Sequence, residues 1–106
     1  MTERLRIARV GPRRLRVTGE LDMSTSPELA GELERIAGSG EGAVTLELDE
    51  LTFLDSTGLR ALIEGAMRLG GSGDLVLRNP TRAVMEVLGI AGVVEAASNI
   101  VVERDD

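Results

Sequence analysis

Three residues in a row carry the most chemistry in this chain: Asp55, Ser56 and Thr57, followed by Gly58. They join an apolar run, Phe53-Leu54, to a stretch with apolar residues at helical spacing. An acid and hydroxyls at such a junction suit two jobs. One is an N-cap, Ser56 or Asp55, worth about 1 kcal/mol to the helix that follows. The other is a phosphorylatable serine. A phosphate there would lie beside the unpaired N–H groups and positive dipole end of the helix, so the fold bears the charge while a partner's surface need not. A second pairing is Asp22 with Asp55. Both acids follow apolar, strand-like segments, and two carboxylates at one end of a sheet can act as acid and base.

Composition narrows these options. The chain has no histidine, lysine or cysteine. That excludes a Ser-His-Asp triad, a thiolate nucleophile and the usual zinc ligands. It also excludes the phospho-receiver site, which needs a lysine beside its acids. No catalytic set, metal site or cofactor site remains, and turn and cap roles suit Asp22 and Asp55 better than catalysis. The glycine-rich pieces GSGEG (38–42) and GGSGD (70–74) follow helices and precede strands. A phosphate cradle needs the reverse order, so they read as helix ends and turns.

The 106 residues form one domain by length, and 42% hydrophobic residues is too many for a disordered chain. With Phe53 the single aromatic, the core must be aliphatic. The net charge of −6 is uneven: residues 1–19 carry six Arg and one Glu, and residues 20–106 six Arg and seventeen acids. An acidic chain without a stacking platform is a poor nucleic-acid binder. With no long apolar run or leader pattern, the expectation is a cytoplasmic protein that does not engage a membrane.

The elements that position the junction follow from periodicity. RLRIARV (4–10) and RLRVTGEL (14–21) alternate around the turn signal Gly11-Pro12, predicting a hairpin. Leu5, Ile7 and Val10 point one way with one slip in the period, as do Leu15, Val17 and Leu21. Arg4, Arg6, Arg14 and Arg16 share the exposed face, as a solvated surface or as a docking patch for an acidic or phosphate group. Ser26-Pro27, with Thr25 and Glu28 as an alternative capping box, starts a helix whose stripe is Leu29, Leu33, Ile36 and Ala37. AVTLELD (43–49) is a strand. Leu59, Leu62, Ile63 and Ala66 make the next helix amphipathic. DLVLRN (74–79) is a buried strand, and Asn79-Pro80 caps a third helix with Val84, Val87 and Leu88 inward. Ile100 to Val102 fits a short strand, and Asp105-Asp106 should fray. Strands alternating with helices imply parallel crossovers, and the hairpin makes the sheet mixed.

Taken together, GELDMST (19–25), AVTLELDEL, FLDSTGLRALI and GGSGDLVLRNPTRAVMEVLGIAGV resemble the STAS domain, in particular the bacterial anti-sigma factor antagonists. The likeness runs from about residue 4 to about residue 95 within a single domain, 1–106, and leaves the C-terminal tail unassigned. It implies an α/β fold with a mixed four- or five-stranded sheet and helices packed against it. It implies a non-enzymatic partner switch: the unphosphorylated protein binds an anti-sigma factor that is also an ATP-dependent serine kinase, and a sigma factor is freed. Ser56 matches the phospho-acceptor, and a metal-dependent serine/threonine phosphatase restores it. Asp22, Asp55, Thr57, Gly58 and Leu59 match the frame around it. Met23, Ser24, Thr25 and Arg60 complete the implied partner surface. Arg60 departs from the family, which often has a small residue there. Stand-alone STAS proteins also serve as subunits of lipid-transporting ABC systems, so docking on such an ATPase is the alternative.

Overall fold

The computed structural model describes residues 4–92 and 97–105. Along the chain these form β1 (Leu5–Gly11), β2 (Arg14–Leu21), α1 (Ser26–Ala37), β3 (Val44–Glu47), β4 (Leu51–Leu54), α2 (Ser56–Leu69), β5 (Leu75–Arg78), α3 (Arg82–Ala91) and β6 (Ile100–Glu103). The expected mixed sheet is present, with the hairpin β1–β2 antiparallel and the other pairings parallel. It has six strands, one more than the upper expectation, in the order β1-β2-β3-β5-β6 with β4 also on β2. The extra strand arises because LELDELTFL bends at Asp49-Glu50. Its first part runs beside Arg14–Arg16 and its second beside Gly19–Leu21. The far edge of β4 is covered by the start of α3, where Thr81 Oγ1 donates to the Leu51 carbonyl at 3.0 Å.

Period-two alternation sends Leu15, Val17, Val44, Leu46, Leu75 and Leu77 to one face, where they join Leu29, Leu33, Ile36, Leu59, Leu62, Ala66, Val84 and Leu88 in one core. The other face carries Arg6, Arg14, Arg16, Glu47, Arg78 and Glu103. Glu47 sits between Arg14 and Arg78, at 3.5 and 3.4 Å, so part of the hairpin's positive charge is answered within the sheet. The slip at Val10 is a β-bulge: Arg9 pairs with Leu15 and Gly11 with Arg14, leaving Val10 unpaired and exposed. The third helix is capped by Thr81, not by Asn79-Pro80. The Thr81 hydroxyl accepts from the Val84 N–H, and Asn79 adopts a left-handed turn, φ 51°. Asp105 does not fray, because the Arg78 guanidinium grips both its carboxylate oxygens, at 2.7 and 2.6 Å. Asp106 and residues 93–95, where the resemblance ends, lie outside the described residues.

Parallel strands place all their C-terminal ends on one side. The glycine-rich loops before β3 and β5 therefore meet at the opposite end, where the Gly42 N–H donates to the Ser72 carbonyl. This is the wrong end for any site at Asp22 or Asp55, and it confirms those loops as turns. Two glycines shape the right end. At Gly19, φ is +109° and a Cβ would sit 2.3 Å from the Arg4 carbonyl oxygen, so only glycine lets β1 close over the end of β2. At Gly58, a Cβ would sit 2.7 Å from Leu54 Cδ1 and 2.8 Å from Leu21 Cγ, both buried residues. Helix α2 can start this close to the strand ends only without a side chain there. Gly58→Ala is expected to cost about 1–3 kcal/mol by overpacking. Urea unfolding should show a lower midpoint with an unchanged slope; an unchanged midpoint would mean the helix start has room to move.

Candidate functional site

Two chain segments meet at the C-terminal end of the sheet: the loop Asp22–Thr25 between β2 and α1, and the β4–α2 junction at Asp55. They are tied together where the Asp55 N–H donates to the Leu21 carbonyl at 3.2 Å. The loop is folded around the Asp22 carboxylate. Its Oδ1 accepts from the Ser24 N–H (2.9 Å), the Ser24 hydroxyl (2.7 Å) and the Thr25 N–H (3.2 Å). The Thr25 hydroxyl is buried; it donates to the Glu20 carbonyl at 2.9 Å and accepts from the Asp22 N–H at 2.8 Å. Thr25 thus occupies the N-cap position of α1, yet its side chain caps nothing. Its hydroxyl is spent on the loop.

Across the cleft, Asp55 is the N-cap of α2. Its Oδ1 accepts from the Thr57 N–H at 2.9 Å, the Gly58 N–H at 3.1 Å and the Thr57 hydroxyl at 2.5 Å. The capping role is therefore settled in favour of Asp55 over Ser56. The division leaves the two hydroxyls with opposite fates. Thr57 is committed to the cap. Ser56 is exposed at the first position of the helix, and among the described residues its hydroxyl makes no hydrogen bond.

Asp22, Met23, Ser24 and Asp55 line one cleft of about 480 Å³, together with Arg4, Glu20 and Phe53. Of the last three, Glu20 and Phe53 were not among the expected site residues, and Arg4 was expected on the exposed face of the hairpin. Arg4 does not stand with Arg6 and Arg16 on the open face. It turns to the end of the sheet, where it pairs with Glu20 at 3.0 Å and with Asp22, and donates to the Ser24 hydroxyl at 3.1 Å. Met23 is 76% exposed and Phe53 46%. Large apolar side chains so exposed beside a cleft mark a contact surface more readily than a reaction centre. Ser56, Thr57 and Arg60 line a separate, adjoining hollow of about 250 Å³. Gly58 and Leu59, expected in the same motif, are buried.

The family model described as "Mlab, STAS domain" matches residues 6–102. This chain belongs to the STAS domain family. No curated protein matches it in sequence. Among solved structures it is similar to the anti-sigma factor antagonist SpoIIAA in its unphosphorylated form: TM-score 0.70 and 17% identity, over 92% of this chain and 86% of that one. It is similar to an anti-sigma factor antagonist from Mycobacterium paratuberculosis: TM-score 0.72 and 22% identity, over 92% and 83%. It is also similar to a chain of the complex between the diguanylate cyclase SiaD and its activator SiaC from Pseudomonas aeruginosa: TM-score 0.61 and 22% identity, over 95% and 92%. The α/β architecture expected from the sequence is thus the STAS fold.

The electrostatics of this STAS domain keep its two acids charged. The Ser24 hydroxyl, aided by the Ser24 N–H and the Arg4 guanidinium, holds the Asp22 carboxyl below the usual carboxylate range. The Thr57 hydroxyl, aided by the Gly58 and Thr57 N–H groups, does the same for Asp55. Both are depressed, whereas a general acid at neutral pH would need a raised value. Among the described residues no group of three or more acids could hold a metal ion, and no helix is long and apolar enough to cross a membrane. A depressed folded pKa contributes stability above the unfolded value, about 4, and loses it as pH falls through the folded value. Asp22→Asn with Asp55→Asn should therefore flatten the acid side of the stability curve below about pH 4. Urea titrations from pH 6 to pH 3 would read this; equal acid slopes in parent and double variant would refute it.

Proposed function

We propose that this STAS domain is a phosphorylation-controlled antagonist of an anti-sigma factor. Unphosphorylated, it docks its cleft end on an anti-sigma factor that is also a serine kinase, and so releases a sigma factor. The kinase transfers the γ-phosphoryl group of ATP to Ser56 Oγ, which gives up its proton, and ADP leaves. The domain then dissociates. A metal-dependent serine/threonine phosphatase hydrolyses the ester with water, returning the hydroxyl and inorganic phosphate. The domain binds no nucleotide and catalyses nothing; it is substrate and ligand in turn, in the cytoplasm.

The observation that carries this reading is the contrast between Ser56 and Thr57. Thr57 is locked into the Asp55 cap, while Ser56 stands exposed and unbonded among the described residues, next to a cleft edged by Met23 and Phe53. Among the described residues at this end, Ser56 carries the exposed hydroxyl that makes no hydrogen bond, whereas the exposed hydroxyls of Ser24 and Thr52 are bonded. A second reading is a subunit that docks on the ATPase of a lipid-transporting ABC system without modification. The description of the matching family model, which names Mlab and no sigma pathway, favours it.

Paired baits separate the two. Ser56→Ala and Ser56→Asp would be used to capture binding proteins from native lysate, followed by identification by mass spectrometry. Retention of an ATP-binding serine kinase by the alanine form alone supports the switch. Retention of one transporter ATPase by both forms overturns it and establishes the scaffold.

A further inference from the structure

Arg60 stands four residues after Ser56 on α2, and on a helix residues so spaced are neighbours on one face. The two side chains, with Thr57, line the same hollow of about 250 Å³. Arg60 is exposed and forms no ion pair among the described residues, whereas Arg4, Arg14, Arg35, Arg68 and Arg78 each have a carboxylate partner. The Thr57 hydroxyl, which also lines the hollow, donates its proton to Asp55 and has none left to give a phosphate there. The guanidinium is thus an exposed donor fork, unpaired among the described residues, lining one hollow with the Ser56 hydroxyl.

We propose that Arg60 is a latch for the phosphoryl group on Ser56. In the phosphorylated form its fork closes on two phosphate oxygens, an arrangement that guanidinium geometry favours. The latch binds the dianion more tightly than the monoanion. It therefore draws the phosphate down onto the helix and sets its charge state. This rests on the phosphorylation reading above and adds to it a residue that positions the modified group. Because the latch lies within the domain, it acts without the kinase, and it can be tested without any partner.

The test uses full-length protein carrying phosphoserine incorporated at position 56, so that no cognate kinase is needed. Phosphorus NMR titration reads the second ionisation of the phosphate, which lies near pH 6 in free phosphoserine. With Arg60 present it should lie about 0.3 pH units lower than in Arg60→Ala, the size an i,i+4 ion pair produces. Arg60→Glu should raise it further, and about 1 M salt should erase the difference. Arg16→Ala, on the open sheet face, should leave it unchanged. Equal ionisation in parent, Arg60→Ala and Arg60→Glu overturns the latch. That result is distinct from failure of the switch itself, which would appear as equal partner affinity of the Ser56 and phosphoserine forms.

Discussion

Under the proposed switch, Ser56→Ala is expected to bind an anti-sigma kinase as tightly as the parent protein, and Ser56→Asp or phosphoserine 56 at least tenfold more weakly. Tenfold requires only about 1.4 kcal/mol. A phosphoryl group brings about −1.5 to −2 charges to an end of the molecule that already presents Glu20, Asp22 and Asp55, with Arg4 in the cleft and Arg60 beside Ser56. Burying such a group against a partner shaped for a hydroxyl costs desolvation as well as repulsion. The domain itself should scarcely notice. The serine hydroxyl bonds nothing among the described residues, so alanine removes no internal contact, and the added charge faces the positive end of α2. Calorimetric titration would give the affinities and thermal unfolding the control. Equal affinities for the three forms would remove Ser56 from the switch. Unequal affinities with a large fall in Tm would attribute the effect to folding.

How much of this was legible beforehand depends on the range of the interaction. Period two gave the hairpin and β3, a short apolar run gave β5, and period 3.6 gave the stripes of α1 and α2, because these patterns record which face a residue turns to the core. The motif residues Asp22, Met23, Ser24 and Asp55 do share a cleft. What failed was set by contacts between distant segments. β4 reads only as an apolar run leading to Asp55, since its buried residues Leu51 and Leu54 are three apart and the register against β2 shifts between Gly19 and Glu20. Parity placed Arg4 with the other hairpin arginines, but parity cannot foresee a carboxylate within reach at the strand end. The exposure of Phe53 was hidden for the same reason: the sequence places it in an apolar run before Asp55 but does not say which of its neighbours cover it. Asn79 looked like a cap because it precedes proline, whereas the side chain that reaches a helix N–H belongs to Thr81.

The same neighbours decide which apolar residue carries binding. Phe53→Ala is expected to weaken the partner complex by about 2 kcal/mol or more, roughly thirtyfold, while leaving the fold intact. An aromatic side chain can bury about 150–250 Å² against a partner. Phe53 is the only aromatic here, nearly half exposed, and it lies across the cleft from Met23, a flexible side chain suited to adapting to a second surface. Exposure alone does not make an anchor: Met67 is 69% exposed too, on the outer side of α2, away from the cleft residues. Met67→Ala is therefore the matched control, expected to change affinity by less than about 0.5 kcal/mol. The pair also tests where the interface lies under either functional reading, since an anti-sigma kinase and a transporter ATPase would both be expected to use the one end of the sheet that presents an apolar pair beside charged residues. If Met67→Ala weakened binding and Phe53→Ala did not, the partner would sit on the outer helix face, and the cleft with its depressed carboxylates would be a folding device for the β2–α1 loop.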